Sequence, residues 1–238
     1  MKWWLAAVDA GLAVGTITAS GCSNLETGPN GVAGLEVRVP RPPVVEVGQT
    51  IQLHARALDE QGDSVAAAVT WVTPDTTVTL TSDGKLTGRT GASQARVQAR
   101  VGTLVSDLVP FTVNARPDTL VITGDSVLTV ASGATGSGPL LASLRSFDPA
   151  GPLSGRTILY GIVAPTFADP AQRTVELPGG VLAVDAETGA DGTPATAVTV
   201  NRVSGQPAPD SAIVTVSATT ATGSVVPGSG QRFIVRLQ

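Results

Sequence analysis

The sequence contains few cysteine, histidine and aromatic residues, and each shortage excludes a class of site. One cysteine, Cys22, in 238 residues excludes an intrachain disulfide and a metal site with several cysteine ligands. The only histidine, His54, leaves a catalytic triad or a histidine-rich metal site without partners, and its strand register favours a solvated surface position. Aromatic residues make up 3% of the chain, whereas carbohydrate-binding modules usually display several exposed rings. Hydrophobic packing alone must therefore hold the fold together.

Positive charge is also scarce. Charged residues make up 14% of the chain, the net charge is −4, and only two lysines, Lys2 and Lys85, accompany the scattered arginines. Phosphate binding requires clustered basic side chains, so we expect no nucleic-acid partner. The hydrophobic content of 42% argues against disorder. The abundance of glycine, proline, threonine and valine, without long runs of helix-forming residues, favours β structure.

The N-terminus has the layout of a secretory signal. Lys2 is followed by an apolar stretch, and small residues precede Cys22. The segment from Ala19 to Cys22 resembles the lipobox of bacterial lipoproteins, which implies a signal peptide over residues 1–21, acylation of Cys22, and a lipid anchor in the cell envelope. The chain departs from that pattern at Ala19, where leucine is preferred, and at Asp9, a charge within the apolar stretch. An ordinary signal peptide with an incidental cysteine is the alternative.

The segment after Cys22 is polar and rich in glycine, which predicts a flexible tether over residues 22–34. From residue 35 onward the sequence alternates apolar and polar positions. The clearest alternation runs from Gln94 to Val101, with Ala95, Val97, Ala99 and Val101 predicted to face inward. Short strands at this spacing, separated by glycine-containing turns, predict a β-sandwich over residues 35–115.

The stretch from Val47 to Trp71 contains the landmarks of this first unit. It reads as a strand from Gln49 to Leu58, a turn over residues 59–63 and a second strand that includes Trp71. Together with the SDGKLTG turn that follows, this order resembles a bacterial immunoglobulin-like domain of group 2. The resemblance implies that Gly48, Gly62 and Trp71 are structural, and it brings no catalytic residue.

A second unit is predicted over residues 116–238. Leu140 to Gly155 matches the first unit at a constant offset of 89, which equates Gly62 with Gly151 and Trp71 with Tyr160. The offset indicates a duplicated sandwich, although convergent β patterning can produce part of it. The segments from Ala186 to Val203 and from Asp210 to Thr220 resemble the final strands of a divergent invasin-type immunoglobulin-like domain.

The residues that carry chemistry in other proteins form no convincing site here. The acidic groups at Asp59, Glu60 and Asp63 and at Asp185, Glu187 and Asp191 lack the spacing of a calcium loop and read as solvated carboxylates. The nucleophile, phosphate-loop and zinc motifs of common enzymes are missing from the sequence. We therefore expect no catalytic residue, no metal and no cofactor.

Two functional hypotheses remain open at this point. The first is a non-catalytic, lipid-anchored surface protein whose tandem immunoglobulin-like domains form a stalk or an adhesive module with an unidentified protein or glycan ligand. The second is a polysaccharide- or ligand-binding accessory protein of the cell envelope, which an exposed row of aromatic side chains would support. An enzyme would instead need a concave pocket with convergent carboxylates.

Overall fold

The computed structural model describes residues 31–207 and 209–238. The expected signal peptide, Cys22 and most of the expected tether lie outside these residues. The described chain is all-β and includes the 3-10 turn Pro170–Gln172. None of the described residues forms a helix of the length and apolarity that a membrane crossing requires. The prediction of two tandem β-sandwiches is confirmed.

Eleven strands build the first sandwich. They are β1 (Gly34–Arg38), β2 (Val44–Glu46), β3 (Thr50–Gln52), β4 (His54–Leu58), β5 (Ser64–Val65), β6 (Thr70–Val72), β7 (Val78–Leu80), β8 (Lys85–Gly88), β9 (Ser93–Val101), β10 (Leu104–Val105) and β11 (Val109–Asn114). One layer contains β1-β4-β5 and β3-β8-β7, and the other contains β10-β9-β11-β2, with β6 also paired to β9. Segment 40–43, with three prolines, carries the chain from the first layer to the second, where β2 pairs in parallel with β11.

Ten strands build the second sandwich. They are β12 (Thr119–Ile122), β13 (Val127–Val130), β14 (Ala142–Phe147), β15 (Ala150–Pro152), β16 (Thr157–Ala164), β17 (Val175–Glu176), β18 (Ala183–Glu187), β19 (Asn201–Arg202), β20 (Ser211–Ser217) and β21 (Gln231–Leu237). One layer is β12-β14-β15, the other is β13-β21-β20-β16-β18, and β17 pairs with β19. The parallel pairing of β13 with the last strand, β21, repeats that of β2 with β11.

Each sandwich has its own core. The first is centred on Leu53, Leu86 and Phe111, and the second on Leu144, Tyr160 and Phe233. The predicted alternation from Gln94 to Val101 is confirmed, since Ala95, Val97, Ala99 and Val101 are all buried. In an immunoglobulin-like sandwich the first strand is characteristically divided between the two layers, and its second half runs parallel to the last strand. Here the divided strands are β1 with β2 and β12 with β13. Both units have this arrangement.

Three expectations about local structure were wrong. Residues 32–34 belong to the sandwich rather than to a tether, because Val32 is fully buried beside Ala57 and Val101. The strand expected from Gln49 to Leu58 is divided at Leu53, since β3 pairs with β8 whereas β4 pairs with β1. The segment from Ala186 to Val203 contributes only the end of β18 and the two residues of β19.

The crowding around Gly84 gives a prediction for the first sandwich. Gly84 has φ +89°, and a Cβ atom there would lie 2.7 Å from Nε1 of Trp71 and 3.0 Å from the Leu53 carbonyl oxygen. We expect Gly84→Ala to lower the free energy of unfolding of this sandwich by about 2–5 kcal/mol, because backbone strain and overpacking add. Urea denaturation followed by Trp71 fluorescence measures the change.

Gly62 provides the matched control for this substitution. Its φ of +84° is similar, but no atom lies within 4 Å of the position of a Cβ. Gly62→Ala therefore carries the strain of positive φ alone, and we expect a loss of about 1–2 kcal/mol. Equal losses at the two positions would show that the contact with Trp71 contributes nothing.

Candidate functional site: the junction between the sandwiches

A buried carboxylate marks the place where the two sandwiches meet. Glu46 ends β2 at the pole of the first sandwich from which β11 leads into the second. The residue is only 2% exposed, although acidic side chains are rarely fully buried unless they are paired. Its neighbour Val45 packs into the first core, so the alternation along the strand directs Glu46 away from that core.

The Glu46 carboxylate contacts two separate parts of the second sandwich. Oε1 accepts a hydrogen bond of 3.2 Å from the Ala221 amide, in the loop between β20 and β21. Oε2 lies 3.1 Å from Nη2 of Arg156, just before β16, in an ion pair whose angles fall outside those of a hydrogen bond. The same Nη2 donates a bond of 2.7 Å to the Ala115 carbonyl oxygen in the connecting segment. Arg156 thus contacts both the first sandwich and the connection.

Thr188 fixes the position of Arg156. The Arg156 amide donates to Oγ1 of Thr188 at 3.0 Å, and that hydroxyl donates to the Leu153 carbonyl oxygen at 2.6 Å. Thr188 is 3% exposed, so these hydrogen bonds are shielded from water. A long side chain that starts from a restrained backbone loses less conformational entropy when it forms an ion pair. Thr188 therefore restrains the backbone from which the Arg156 side chain extends toward Glu46.

The connecting segment, residues 115–118, is itself packed. Ala115 is 7% exposed and belongs to the second core. A Cβ at Gly91, in the β8–β9 loop of the first sandwich, would lie 2.6 Å from Cα of Ala115, so only glycine fits there. Oδ2 of Asp118 accepts a bond of 2.7 Å from the Phe147 amide, while Oδ1 accepts one of 2.8 Å from Arg116. These contacts restrain both ends of the segment.

The environment shifts the pKa values of the two buried carboxyls in opposite directions. Burial raises the pKa of Glu46, and this effect exceeds the opposing influence of the Ala221 amide and Arg156. Burial alone would also raise the pKa of Asp118, but the Phe147 amide and the Arg116 guanidinium outweigh it, and the pKa is lowered. Glu46 therefore favours its neutral form more than an ordinary glutamate does.

The raised pKa of Glu46 predicts how the junction responds to acid. A group whose pKa is higher in the docked state binds protons more tightly there, so docking strengthens as the pH falls from the raised pKa toward 4.5. We expect Glu46→Gln to remove this increase, because glutamine does not titrate. Thermal unfolding of the two proteins at a series of pH values measures the difference. Parallel pH profiles would contradict the expectation.

Two small clefts flank the junction. One, of about 300 Å³, lies between the Glu46–Gln49 turn, Arg116–Asp118 and the β20–β21 loop. The other, of about 400 Å³, lies between Ala92, Asn114 and the segment from Pro149 to Arg156. Arg116 lines the first cleft and Arg156 the second, together with small and polar residues. In the described part of the chain, no group of three or more His, Cys, Asp or Glu residues is arranged to hold a metal ion.

Of the residues expected to be structural, the two aromatics lie in the cores, whereas Gly48 and Gly62 lie in exposed turns. Gly48 has φ +79° in the turn after β2, close to Arg116, and Gly62 has φ +84° in the β4–β5 turn. Trp71 is 6% exposed, and Tyr160 is fully buried, with its hydroxyl donating to the Leu140 carbonyl oxygen at 3.1 Å. Cys22 lies outside the described residues.

The equivalence of Gly151 with Gly62 is not seen in the structure. Gly151 lies within β15, opposite Ser146, and its φ is not in the left-handed region. The β14–β15 hairpin turns over two residues, 148 and 149, whereas the β4–β5 turn contains five. Strand β15 is one residue longer than β5, and Tyr160 is the fourth residue of β16 whereas Trp71 is the second of β6, so the offset of 89 is restored at the two aromatic residues. The offset therefore equates the two core aromatics but not the two glycines.

The polar residues that the sequence singled out do not converge. His54 is exposed on β4, opposite Arg38. Oδ1 of Asp59 accepts bonds from the amides of Gln61 and Asp63, and Oδ1 of Asp191 accepts one from Thr193, so both aspartates cap turns. Glu46 and Arg156 were not predicted as site residues. The only signal for Glu46 was a charge within the apolar run VVEV, and nothing around Arg156 marked that residue.

Comparisons with known proteins give the following result. No protein-family model matches the chain, and none of the curated proteins matches it. Among solved structures, the Yersinia pseudotuberculosis adhesin InvE is similar at 15% identity and a TM-score of 0.41, covering 89% of this chain and 61% of that one. The chain thus spans about three fifths of the InvE structure.

Two further solved structures are similar over most of the chain. The D00-D0 domain of Intimin shares 14% identity at a TM-score of 0.31, over 84% of this chain and 98% of that one. The fibronectin(III)-like modules of Clostridium thermocellum CbhA share 13% identity at a TM-score of 0.36, over 85% and 92%. Similarity at this level carries no inference about function, and the assignment of the fold rests on the strand pairing described above.

Proposed function

We propose that this chain is a non-catalytic protein of the bacterial cell surface, in which two immunoglobulin-like sandwiches form a stiff spacer. In this proposal residues 1–21 are a signal peptide, and Cys22 carries the lipid anchor at the N-terminal end of a short tether that extends to about residue 31. The two folded units divide at residues 115 and 116. The outer membrane is the proposed location.

The observation that carries the proposal is the buried junction. Glu46, Arg156 and the packed Ala115 join opposite poles of the two sandwiches, so the units follow one another end to end. A connection of this kind resists bending, unlike a solvated linker, which leaves neighbouring domains free to reorient. Stiffness is useful to a spacer that holds a binding surface away from a membrane.

The adhesive role, if the spacer also binds, falls to loops and strand edges, where sandwiches commonly contact their ligands. A protein or a glycan is the proposed ligand. A glycan-binding accessory role receives less support, because Phe147, 68% exposed, is the only aromatic residue among the exposed large hydrophobic side chains of the described residues. Glycan-binding surfaces usually stack sugars on several rings.

Lipid attachment and surface display are tested in a Gram-negative host that expresses the full chain. We expect a radiolabelled fatty acid to enter the protein and Cys22→Ser to abolish the label and release the protein from the membrane fraction. External protease added to intact cells should digest the membrane-bound form. An unlabelled, soluble wild-type product in cells that acylate a known lipoprotein would contradict the anchor.

A further inference from the structure

Strand β18 has one edge that faces no other strand. It ends the order β13-β21-β20-β16-β18, and among the described strands it pairs with β16 alone. The Thr188 amide, directly after β18, donates to the Arg156 carbonyl oxygen at 2.7 Å across this pairing. Main-chain groups of an antiparallel strand point alternately toward one neighbour and away from it, so the N–H and C=O groups of Ala183 and Asp185 point away from β16. None of the described residues forms a hydrogen bond with these groups.

The chain itself closes this edge at both ends but not in the middle. At one end the Ala195 amide donates to the Glu187 carbonyl oxygen at 2.8 Å. At the other end the Leu177 amide donates to the Val181 carbonyl oxygen, also at 2.8 Å. Beyond Ala195 the chain leaves β18, because Val198 packs into the second core. The edge therefore stays open between these two ends.

A groove of about 270 Å³ lies along the open part of the edge. This β18 groove is lined by Pro178, by residues 184–187 and by residues 195–198. Val184 and Ala186 face inward, and the alanines at 195 and 197 line the far side, so the inner part of the groove is apolar. Asp185 and Glu187 are exposed on the opposite face of the strand. The groove is thus apolar toward the core and acidic toward solvent.

The two acidic side chains at the groove have no positive partner among the described residues. Neither Asp185 nor Glu187 forms a salt bridge there, and their neighbours across the pairing are Leu159 and Thr157 on β16. Natural sheets usually protect an open edge with lysine, proline or a bulge. Residues 182–186 contain no lysine or proline, and their pairing with β16 is regular. This edge is therefore able to accept another strand, and its charge favours a positive one.

We propose that the β18 groove binds an extended segment of another protein, which adds to the sheet as an antiparallel strand with the pattern apolar–basic–apolar. Strands β18, β16, β20 and β21 are antiparallel in turn, and the added strand continues this alternation. The basic residue lies opposite Asp185, and its side chain shares the outer face with both carboxylates. Its two neighbours point inward and fill the groove. The proposal rests on the adhesive role proposed above and names the chemistry of its ligand.

Charge argues for a basic partner rather than a second copy of β18. If two β18 strands paired in antiparallel fashion through their open edges, Asp185 and Glu187 of one copy would meet the acidic side chains of the other. Like charges directly opposite each other destabilise a strand pair. A segment with lysine or arginine at the central position instead places opposite charges next to each other. We expect this binding to weaken with added salt, because the charges lie at the surface.

A capped peptide with the sequence Ser-Val-Lys-Val-Ser is the probe for the strand addition. Hydrogen exchange of the full chain, kept in mild detergent because of its apolar N-terminus, is followed by mass spectrometry with and without the peptide. We expect the peptide to slow exchange of the Ala183 and Asp185 amides, which gain acceptors. In an antiparallel pair the lysine amide of the peptide faces β18, whereas the valine amides face away. Methylation of the lysine nitrogen should therefore abolish the protection, and methylation of a valine nitrogen, the matched control, should preserve it.

Charge reversal tests the role of the two carboxylates. We expect Asp185→Lys with Glu187→Lys to bind the lysine peptide at least about fivefold more weakly, because like charges then face each other. The same variant should bind a peptide with glutamate in place of lysine more tightly than the wild type does, which a misfolded variant cannot do. As a control, Glu60→Lys with Asp107→Lys makes the same change of charge at exposed positions of the first sandwich and should leave binding unchanged.

Three results overturn the proposal. The first is unchanged exchange of residues 182–186 at millimolar peptide, and the second is protection that survives methylation of the lysine nitrogen. The third comes from sedimentation velocity without peptide, where a dimer that Asp185→Lys with Glu187→Lys abolishes would assign this edge to a second copy. Peptide binding is measured separately from acylation and surface display, so its failure leaves the lipid anchor and the spacer unaffected.

Discussion

Replacing Arg156 with alanine is expected to uncouple the two sandwiches. The substitution removes the positive partner of Glu46 and the hydrogen bond to the Ala115 carbonyl oxygen. Removal of one partner from a buried ion pair typically costs about 3–5 kcal/mol, because the remaining charge stays buried without compensation. We expect the loss to appear as weaker docking, with each sandwich retaining its own core.

Two optical probes separate these effects. Trp71 lies in the first sandwich, and Tyr160, the only tyrosine, lies in the second. In Arg156→Ala we expect the Trp71 and Tyr160 signals to change at different urea concentrations. In the wild type we expect the two midpoints to lie closer together, because docking couples the unfolding of the two sandwiches. Adding Glu46→Gln should recover part of the loss, because it removes the uncompensated charge. A double variant no more stable than Arg156→Ala would contradict the role given to Glu46.

The second large effect is expected at Tyr160. This residue is fully buried, and its ring stacks on Phe233 at a centroid distance of 6.5 Å. Tyr160→Ala leaves a cavity in the middle of the second core, and loss of a large buried aromatic side chain costs about 3–5 kcal/mol. We expect calorimetry to show the second sandwich unfolding at a lower temperature while the first is nearly unchanged.

Tyr160→Phe separates the ring from its hydroxyl. Phenylalanine keeps the stacking on Phe233 but leaves the Leu140 carbonyl oxygen without its donor, which costs about 1–3 kcal/mol. The phenylalanine variant should therefore lie between the wild type and the alanine variant. Equal losses in both variants would mean that the hydrogen bond, rather than packing, accounts for the contribution of Tyr160.

The inward faces of several strands and the positions of several turns were predictable in both sandwiches, because they depend on local periodicity and on short-range turn signals. Alternation from Gln94 to Val101 and at Phe233, Val235 and Leu237 identifies the inward faces of β9 and β21. The turn at Gly62 and the hairpin at Gly84 also follow from short-range signals, since glycine adopts positive φ readily. These features need no knowledge of which strands become neighbours.

Features that depend on which strands pair with each other were not predictable. Nothing between Gln49 and Leu58 indicates that two halves of one apolar stretch pair with different strands, β8 and β1. The buried valines at 198 and 200 give the segment from Ala186 to Val203 the composition of a strand. In the structure it instead has few ladder bonds, and the carbonyl oxygens of the two valines accept hydrogen bonds from the amides of Leu140 and Ser137.

The junction depends on partners even farther apart in the sequence. Glu46 meets residues 110 and 175 positions later, so no short-range pattern connects them. A charge inside VVEV shows that one position of a strand differs from its neighbours, but solvent exposure is the ordinary explanation. Only the docking of a second sandwich on that pole makes Glu46 a buried, paired residue.

The distance distribution between spin labels on the two sandwiches tests the stiff junction most directly. Cys22→Ser leaves no native cysteine, so labels attach only at Thr79→Cys on β7 and Thr129→Cys on β13, both exposed positions. Pulsed electron paramagnetic resonance should give one narrow distance for this protein and a broad distribution once Arg156→Ala is added. A broad distribution without Arg156→Ala, or the same narrow one with it, would contradict the account.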